Sequence, residues 1–351
     1  MTKRRYPSIE GLRTIAAMGV VWIHVWARYG NPALKLGGID FFKAFSFVGN
    51  GVDFFFVISG FLMYMNWYDK KVSMQTYFDF IKKRFLRIAP LYYVSLLIYF
   101  LFFTIIEKRE IGIWDIICNL LFLNTIFKIN IVPTYWSLAV EWFFYLAIPL
   151  LFLCKFIKQQ GLLLLVLSVL GLGRLYYIES QDYIFLSDTH SLSFIPEFGW
   201  GIVVGMLYKL RPEKLYPAIG TIGGMFIVLL GRCLRWTSLL PFYGSYAVLC
   251  KTLSGTVISL GFAIILLISL NSRAKSNLLL SKPFFQFSGK LSYGIYIWHI
   301  LFISCLQFIS GMRVSNAQLV FYYILVCLGS VALSYISYHT IERYYFKQKR
   351  K

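Results

Sequence analysis

Apolar runs about twenty residues long recur from one end of this chain to the other, and no polar block between them is large enough to fold as a soluble domain. In hydrocarbon every backbone N–H and C=O must be satisfied within the protein, so such runs are read as spanning helices. They lie near 9–28, 45–67, 87–106, 134–154, 161–178, 191–208, 217–234, 247–270, 288–310 and 318–340. The expected fold is an all-α polytopic membrane protein of about ten transmembrane helices, a single domain over residues 1–351. Only 14% of the residues are charged, against about 25% in a soluble globular chain. The first run is not a cleavable signal peptide, because it holds Arg13 and His24 and lacks a small-x-small exit.

The net charge of +20 invites a nucleic-acid partner, but its distribution argues against one. Lys3, Arg4 and Arg5 precede the first run, and Lys70, Lys71, Lys82, Lys83, Arg84 and Arg87 lie between the second and third. Lys155 and Lys158, then Lys209, Arg211 and Lys214, then Arg273, Lys275 and Lys282 fill later even-numbered connections, and Lys347, Lys349, Arg350 and Lys351 close the chain. The odd-numbered connections carry fewer cations and hold Asp40, Glu107, Glu110, Asp115, Glu179, Asp182 and Asp188. By the positive-inside rule both termini are expected to be cytoplasmic, in a multi-pass protein of the cell membrane with no nucleic-acid partner. The six cysteines are scattered, without a C-x-x-C pair or metal-ligand spacing, so no metal is expected.

Ionisable side chains inside such runs are hypotheses of function by default. Arg13 and His24 are eleven positions apart in one run. On a helix that spacing puts both on one face and separates them by about 16 Å along the axis. The spacing fits a site extending across part of the bilayer. With this topology His24, Asp53 and Glu141 reach similar depths in the outer half of the membrane. A carboxylate there can orient the imidazole and support it as a general base. Equally, His24 can be a satisfied structural histidine and Asp53 a helix-packing carboxylate paired to an arginine. The inner layer is cationic: Arg13, with Glu10 as an i,i+3 partner, and Arg84 and Arg87 on one helical face after Lys82 and Lys83. Such a cluster reads either as an anchor for anionic lipid or as a dock for a phosphorylated ligand. Gly51, Gly60 and Ser59 read as helix-packing residues. His299 lies near mid-membrane, where it can line the same cavity or bond a neighbouring helix.

In order along the chain stand SIEGLR with His24 ten residues beyond Arg13, GVDFFFVISGF, KKRFLRIAPLYY, YWSLAVEWFFYL and FSGKLSYGIYIWH. Together, over nearly the whole chain, they resemble the acyltransferase-3 family of integral membrane O-acyltransferases, which includes bacterial O-antigen and exopolysaccharide acetyltransferases. On that resemblance the family's Arg-x10-His motif falls on Arg13 and His24, and its basic third-span motif on Arg84 and Arg87. Its fourth-span motif falls on Trp136, Ser137, Leu138 and Glu141. Because the chain ends soon after the tenth run, the resemblance is to the stand-alone form.

The resemblance implies an acyl group, most often acetyl, moving from cytoplasmic acyl-CoA to a hydroxyl of a cell-surface or exported glycan or lipid-linked sugar. Acyl-CoA is then a co-substrate, and no bound cofactor is expected. Its phosphates would meet Arg13, Arg84 and Arg87, with Glu10 beside them. His24 would act as base or transient acyl carrier, held by Glu141 or Asp53, while Ser137, Trp136 and His299 line the cavity. Outside this class, the leading rival is a secondary transporter or exporter of a polysaccharide or small anionic solute. Such proteins show broken helices in a two-fold repeat, and no repeat is visible here. A glycosyltransferase ranks lower, since the sequence contains no D-x-D.

Overall fold

Helices occupy every one of the apolar runs in a computed structural model that describes residues 6–37, 39–180, 190–210, 218–237, 244–271, 274–310 and 314–344. Several charges used for topology lie outside the described residues: Lys3, Arg4, Arg5, Asp182, Asp188, Arg211, Lys214, Arg273, Lys347, Lys349, Arg350 and Lys351. The first helix, α1 (Pro7–Arg28), has its proline in the first turn, where the missing N–H has no helical partner to lose. A two-residue antiparallel pair, β1 (Lys35–Leu36) and β2 (Ile39–Asp40), and the short α2 (Phe41–Phe45) lead into α3 (Gly51–Trp67). There follow α4 (Met74–Leu101), α5 (Ile113–Leu120), α6 (Asn124–Phe127), α7 (Trp136–Leu151), α8 (Ile157–Ser180) and α9 (Ile195–Leu210). The chain continues through α10 (Ala218–Thr237), α11 (Gly244–Ser269), α12 (Lys275–Leu280), α13 (Pro283–Ser310) and α14 (Asn316–Ser337).

Among the described residues, six segments are long and apolar enough to cross a membrane: Met74–Ile106, Ile157–Ser180, Ser191–Leu210, Tyr246–Ser269, Pro283–Ser310 and Asn316–Glu342. Gly51–Trp67 and Trp136–Leu151 are apolar but shorter. The chain is thus an all-helical multi-pass membrane protein apart from its two-residue hairpin. One boundary differs from expectation. The third run begins not near residue 87 but at Met74, because Ser73 and Thr76 form a capping box there. Its first three turns, MQTYFDFIKKRF, are too polar for hydropathy to register. Arg84 and Arg87 consequently lie well inside α4 rather than at its entrance.

α1 is the hub of the packing, contacting α3, α12, α13 and α14. Gly289 of α13 lies so close to the Glu10 backbone that any Cβ would overlap it, and Thr14 and Ser288 share a hydrogen bond of 2.9 Å beside that contact. α3 packs as closely on α9. A Cβ at Gly60 would strike the Phe198 carbonyl, and one at Gly201 the Val57 carbonyl. The Phe198 ring stacks between Phe144, at 3.8 Å between centroids, and Phe56, at 4.7 Å, and joins α9 to α7 and α3. With α4 packed on α7 and α13, these contacts leave α1, α3, α4, α7 and α13 around one space.

Candidate active site

Ser137, Glu141 and Tyr145 follow one another at four-residue intervals on α7, so a helix lays them along one face over about 12 Å. All three line one cavity. Its wall includes Ser59 of α3, Arg13 of α1, Arg84 and Arg87 of α4, and Ser292, Tyr293 and Tyr296 of α13. Glu141 organises the middle of the stripe. Its Oε1 accepts hydrogen bonds from Ser59 Oγ at 2.7 Å and Tyr145 Oη at 2.5 Å.

At one end of the stripe the arginines gather. The Arg84 guanidinium lies 5.1 Å from the centre of the Tyr145 ring and 5.2 Å from that of Phe80. Arg87 is one turn further along α4. Arg13 pairs with Glu10 at 3.7 Å. Glu141 is in electrostatic reach of all three arginines, and Glu342, just beyond α14, is in reach of Arg13 and Arg87. Among the described residues no carboxylate comes within 4 Å of Arg84 or Arg87. Arg84 is hydrogen-bonded to Tyr145, and the charge of both arginines is balanced by carboxylates at longer range.

The other end of the stripe meets a histidine pair. Ser137 Oγ and Tyr296 Oη lie 2.5 Å apart, and Tyr296 Oη donates to the Thr134 carbonyl at 2.8 Å. Three residues on, His299 donates from Nδ1 to the Tyr296 carbonyl at 2.7 Å, and its Nε2 lies 3.0 Å from His24 Nδ1. His299 is fully buried and His24 only half so.

The grouping differs from that expected by depth. Glu141 joins the arginines instead of His24, because α7 starts only at Trp136 and it is Ser137, one turn earlier, that reaches the level of Tyr296. Asp53 turns away from His24. Gly51 is pressed against the Ala16 carbonyl of α1, and two residues later the helix has rotated by about 200°. Asp53 therefore accepts from Asn50 Nδ2 at 2.7 Å and faces Arg235, Arg232 and Glu197. Those arginines are fixed in turn, Arg232 donating to Ser46 at 2.6 Å and Arg235 to Ser254 at 3.2 Å. The partner facing the His24 imidazole is thus His299, not a carboxylate. Trp136 packs against Phe194 and Phe56, and neither it nor His299, Glu10 or His24 lines the cavity wall itself. Ser59, Tyr145, Tyr293, Tyr296 and Glu342 were not foreseen as part of the site. The four-residue spacing from Ser137 to Tyr145 was the signal for one of them.

The sequence profile of the acyltransferase domain family matches residues 6–339. The chain belongs to this acyltransferase-3 family. It is therefore an acyl-transferring enzyme of the membrane, and the transporter reading gives way. Among similar proteins, a candidate acetyltransferase named ORF330 from Acidianus two-tailed virus is 30% identical over 311 residues, covering 86% of this chain and 84% of its own. The O-acetyltransferase OatA of Staphylococcus aureus is 28% identical over 97% of this chain, and the peptidoglycan O-acetyltransferase OatA of Listeria monocytogenes 28% identical over 84%. The chain spans only 57% and 49% of those two proteins. No solved structure matches it significantly.

Proposed function

We propose that this family member moves an acetyl group from acetyl-CoA to a hydroxyl of a cell-surface or exported glycan, across the cell membrane, with both chain termini in the cytoplasm. The observation that carries the reading is the pair Arg84 and Arg87, one turn apart on a cavity wall with no carboxylate of the described residues within 4 Å. Guanidinium forks in that state suit the phosphates of a CoA ester, which they bind bidentately. The names of the OatA relatives support O-acetylation of a glycan.

In this reading the phosphates dock among Arg13, Arg84 and Arg87 from the cytoplasmic side. The pantetheine arm follows the α7 stripe past Glu141 and Ser137 toward Tyr296, which brings the thioester to the histidine end. The acceptor hydroxyl arrives from the outer side at His24. The imidazole takes the hydroxyl proton as the oxygen attacks the thioester carbonyl. The C–S bond breaks, and the CoA thiolate recovers a proton from the imidazolium. Glu141 keeps Tyr145 and Ser59 in place and offsets the arginine charge.

The test is transfer of label from radiolabelled acetyl-CoA into the glycan fraction of membranes bearing wild-type protein or equally expressed His24→Ala. General-base assistance is worth about 10²–10⁴-fold, so the variant is expected to fall to near background. Equal incorporation by the variant, or none by wild type, overturns the reading.

A further inference from the structure

The histidine pair carries more than proximity. The Tyr296 carbonyl can only accept, so the 2.7 Å contact requires a proton on His299 Nδ1. The Ile295 carbonyl, one residue earlier, faces the same ring. A neutral His299 then presents a bare Nε2, and the atom 3.0 Å from it is His24 Nδ1. Two bare nitrogens at that distance repel each other, so His24 must carry its proton on Nδ1. The Val20 carbonyl, one turn back on α1, offers the His24 ring a further acceptor. What is left uncommitted is His24 Nε2.

We infer that His299 is a positioning residue that fixes the His24 tautomer, leaving Nε2 of His24 as the atom that removes the acceptor proton, along the chain Tyr296 C=O, His299, His24. The inference rests on the reading of His24 as the base. Burial agrees with the order of the two residues: His299 is wholly enclosed and His24 is only half-buried. As Nε2 of His24 takes a proton, its Nδ1–H becomes a charge-assisted donor to His299 Nε2, which strengthens the bond as positive charge develops. Tyr296 also belongs to the cavity wall through its ring and hydroxyl. The tautomer is thereby tied to the wall along which the donor would lie.

The chain has four histidines, which makes nitrogen spectroscopy tractable. The full-length protein is labelled with ¹⁵N-histidine in lipid bilayers, and the His24 signals are identified by comparison with His24→Asn. The expected pattern is a protonated Nδ1 and bare Nε2 on both rings, with the His24 Nδ1 proton correlated to His299 Nε2. A proton on His24 Nε2, or no correlation between the rings, overturns the inference.

The kinetic arm uses two variants. His299→Gln keeps an acceptor near the Nε2 position and is expected to retain most of kcat. His299→Leu removes it and should lower kcat by roughly 10²-fold, the low end of general-base assistance, without changing KM for acetyl-CoA. Full kcat in His299→Leu, or losses in both variants that fall on KM instead, overturn it. The spectrum requires no substrate. If wild type transfers nothing from acetyl-CoA, the donor reading fails while the tautomer is still decided by the nitrogen pattern.

Discussion

The Tyr145 hydroxyl donates to Glu141 Oε1 at 2.5 Å from one turn further along α7, while the face of the same tyrosine lies against the Arg84 guanidinium at 5.1 Å. One side chain therefore couples the carboxylate at the centre of the cavity to the cation at its end. A hydrogen bond to a charged group contributes about 1.5–3 kcal/mol. Tyr145→Phe keeps the ring beneath Arg84 and removes the hydroxyl, which donates to Glu141 and is bonded by Arg84, leaving Ser59 on Glu141. Its thermal transition in detergent should drop by an amount corresponding to that range. An unchanged transition would mean that Ser59 alone satisfies the carboxylate.

Arg87→Ala separates a phosphate dock from a structural cation. Loss of a charge-assisted contact of about 1.5–3 kcal/mol corresponds to roughly 10–100-fold in donor affinity. KM for acetyl-CoA should rise by that factor with kcat little changed. With acetyl-pantetheine, which lacks the phosphates, wild type and Arg87→Ala should perform alike. A variant equally impaired with both donors would place Arg87 in the framework instead.

The face shared by Arg13 and His24 was legible in the sequence, because α1 is one unbroken helix and the spacing alone fixes their relation. So were the roles of Gly51 and Gly60 as contact points, since a missing side chain inside a Phe-rich helix signals close approach. Even the turning away of Asp53 was implicit: once Gly51 faces α1, a residue two positions on cannot. The start of α4 was hidden because a capping box and three amphipathic turns leave no hydropathy signal. His299 against His24 was illegible for another reason, as the residues are 275 positions apart and only the packing of α1 on α13 brings them together.

Asp53 supplies a prediction of opposite character to His24. It is 8% exposed, bonded to Asn50 and faced by two arginines on α10 and by Glu197. Replacing one member of a buried charge network leaves the remainder uncompensated, at roughly 3–5 kcal/mol. Asp53→Leu should therefore be strongly destabilised in thermal unfolding, and Asp53→Asn less so. Acetyl transfer per folded molecule should stay near wild type in Asp53→Asn. A folded Asp53→Asn without transfer would return Asp53 to the chemistry.

Gly60→Ala tests whether helix packing sets the site geometry. A Cβ there would overlap the Phe198 carbonyl of α9, and backbone cannot rotate aside as a side chain can. Overpacking of this kind costs about 1–3 kcal/mol. The neighbouring residue is Ser59, whose 2.7 Å bond to Glu141 depends on where α3 lies, so activity should fall together with stability. The matched control is Gly173→Ala on α8, where nothing lies within 4 Å of the added methyl. There the better helix propensity of alanine, up to about 1 kcal/mol, should appear as unchanged or slightly raised stability. If both variants behave alike, the tight α3–α9 contact is not what holds Ser59 on Glu141. If only Gly60→Ala loses transfer, the position of the cavity carboxylate is set by two glycines on helices that contribute no charge to it.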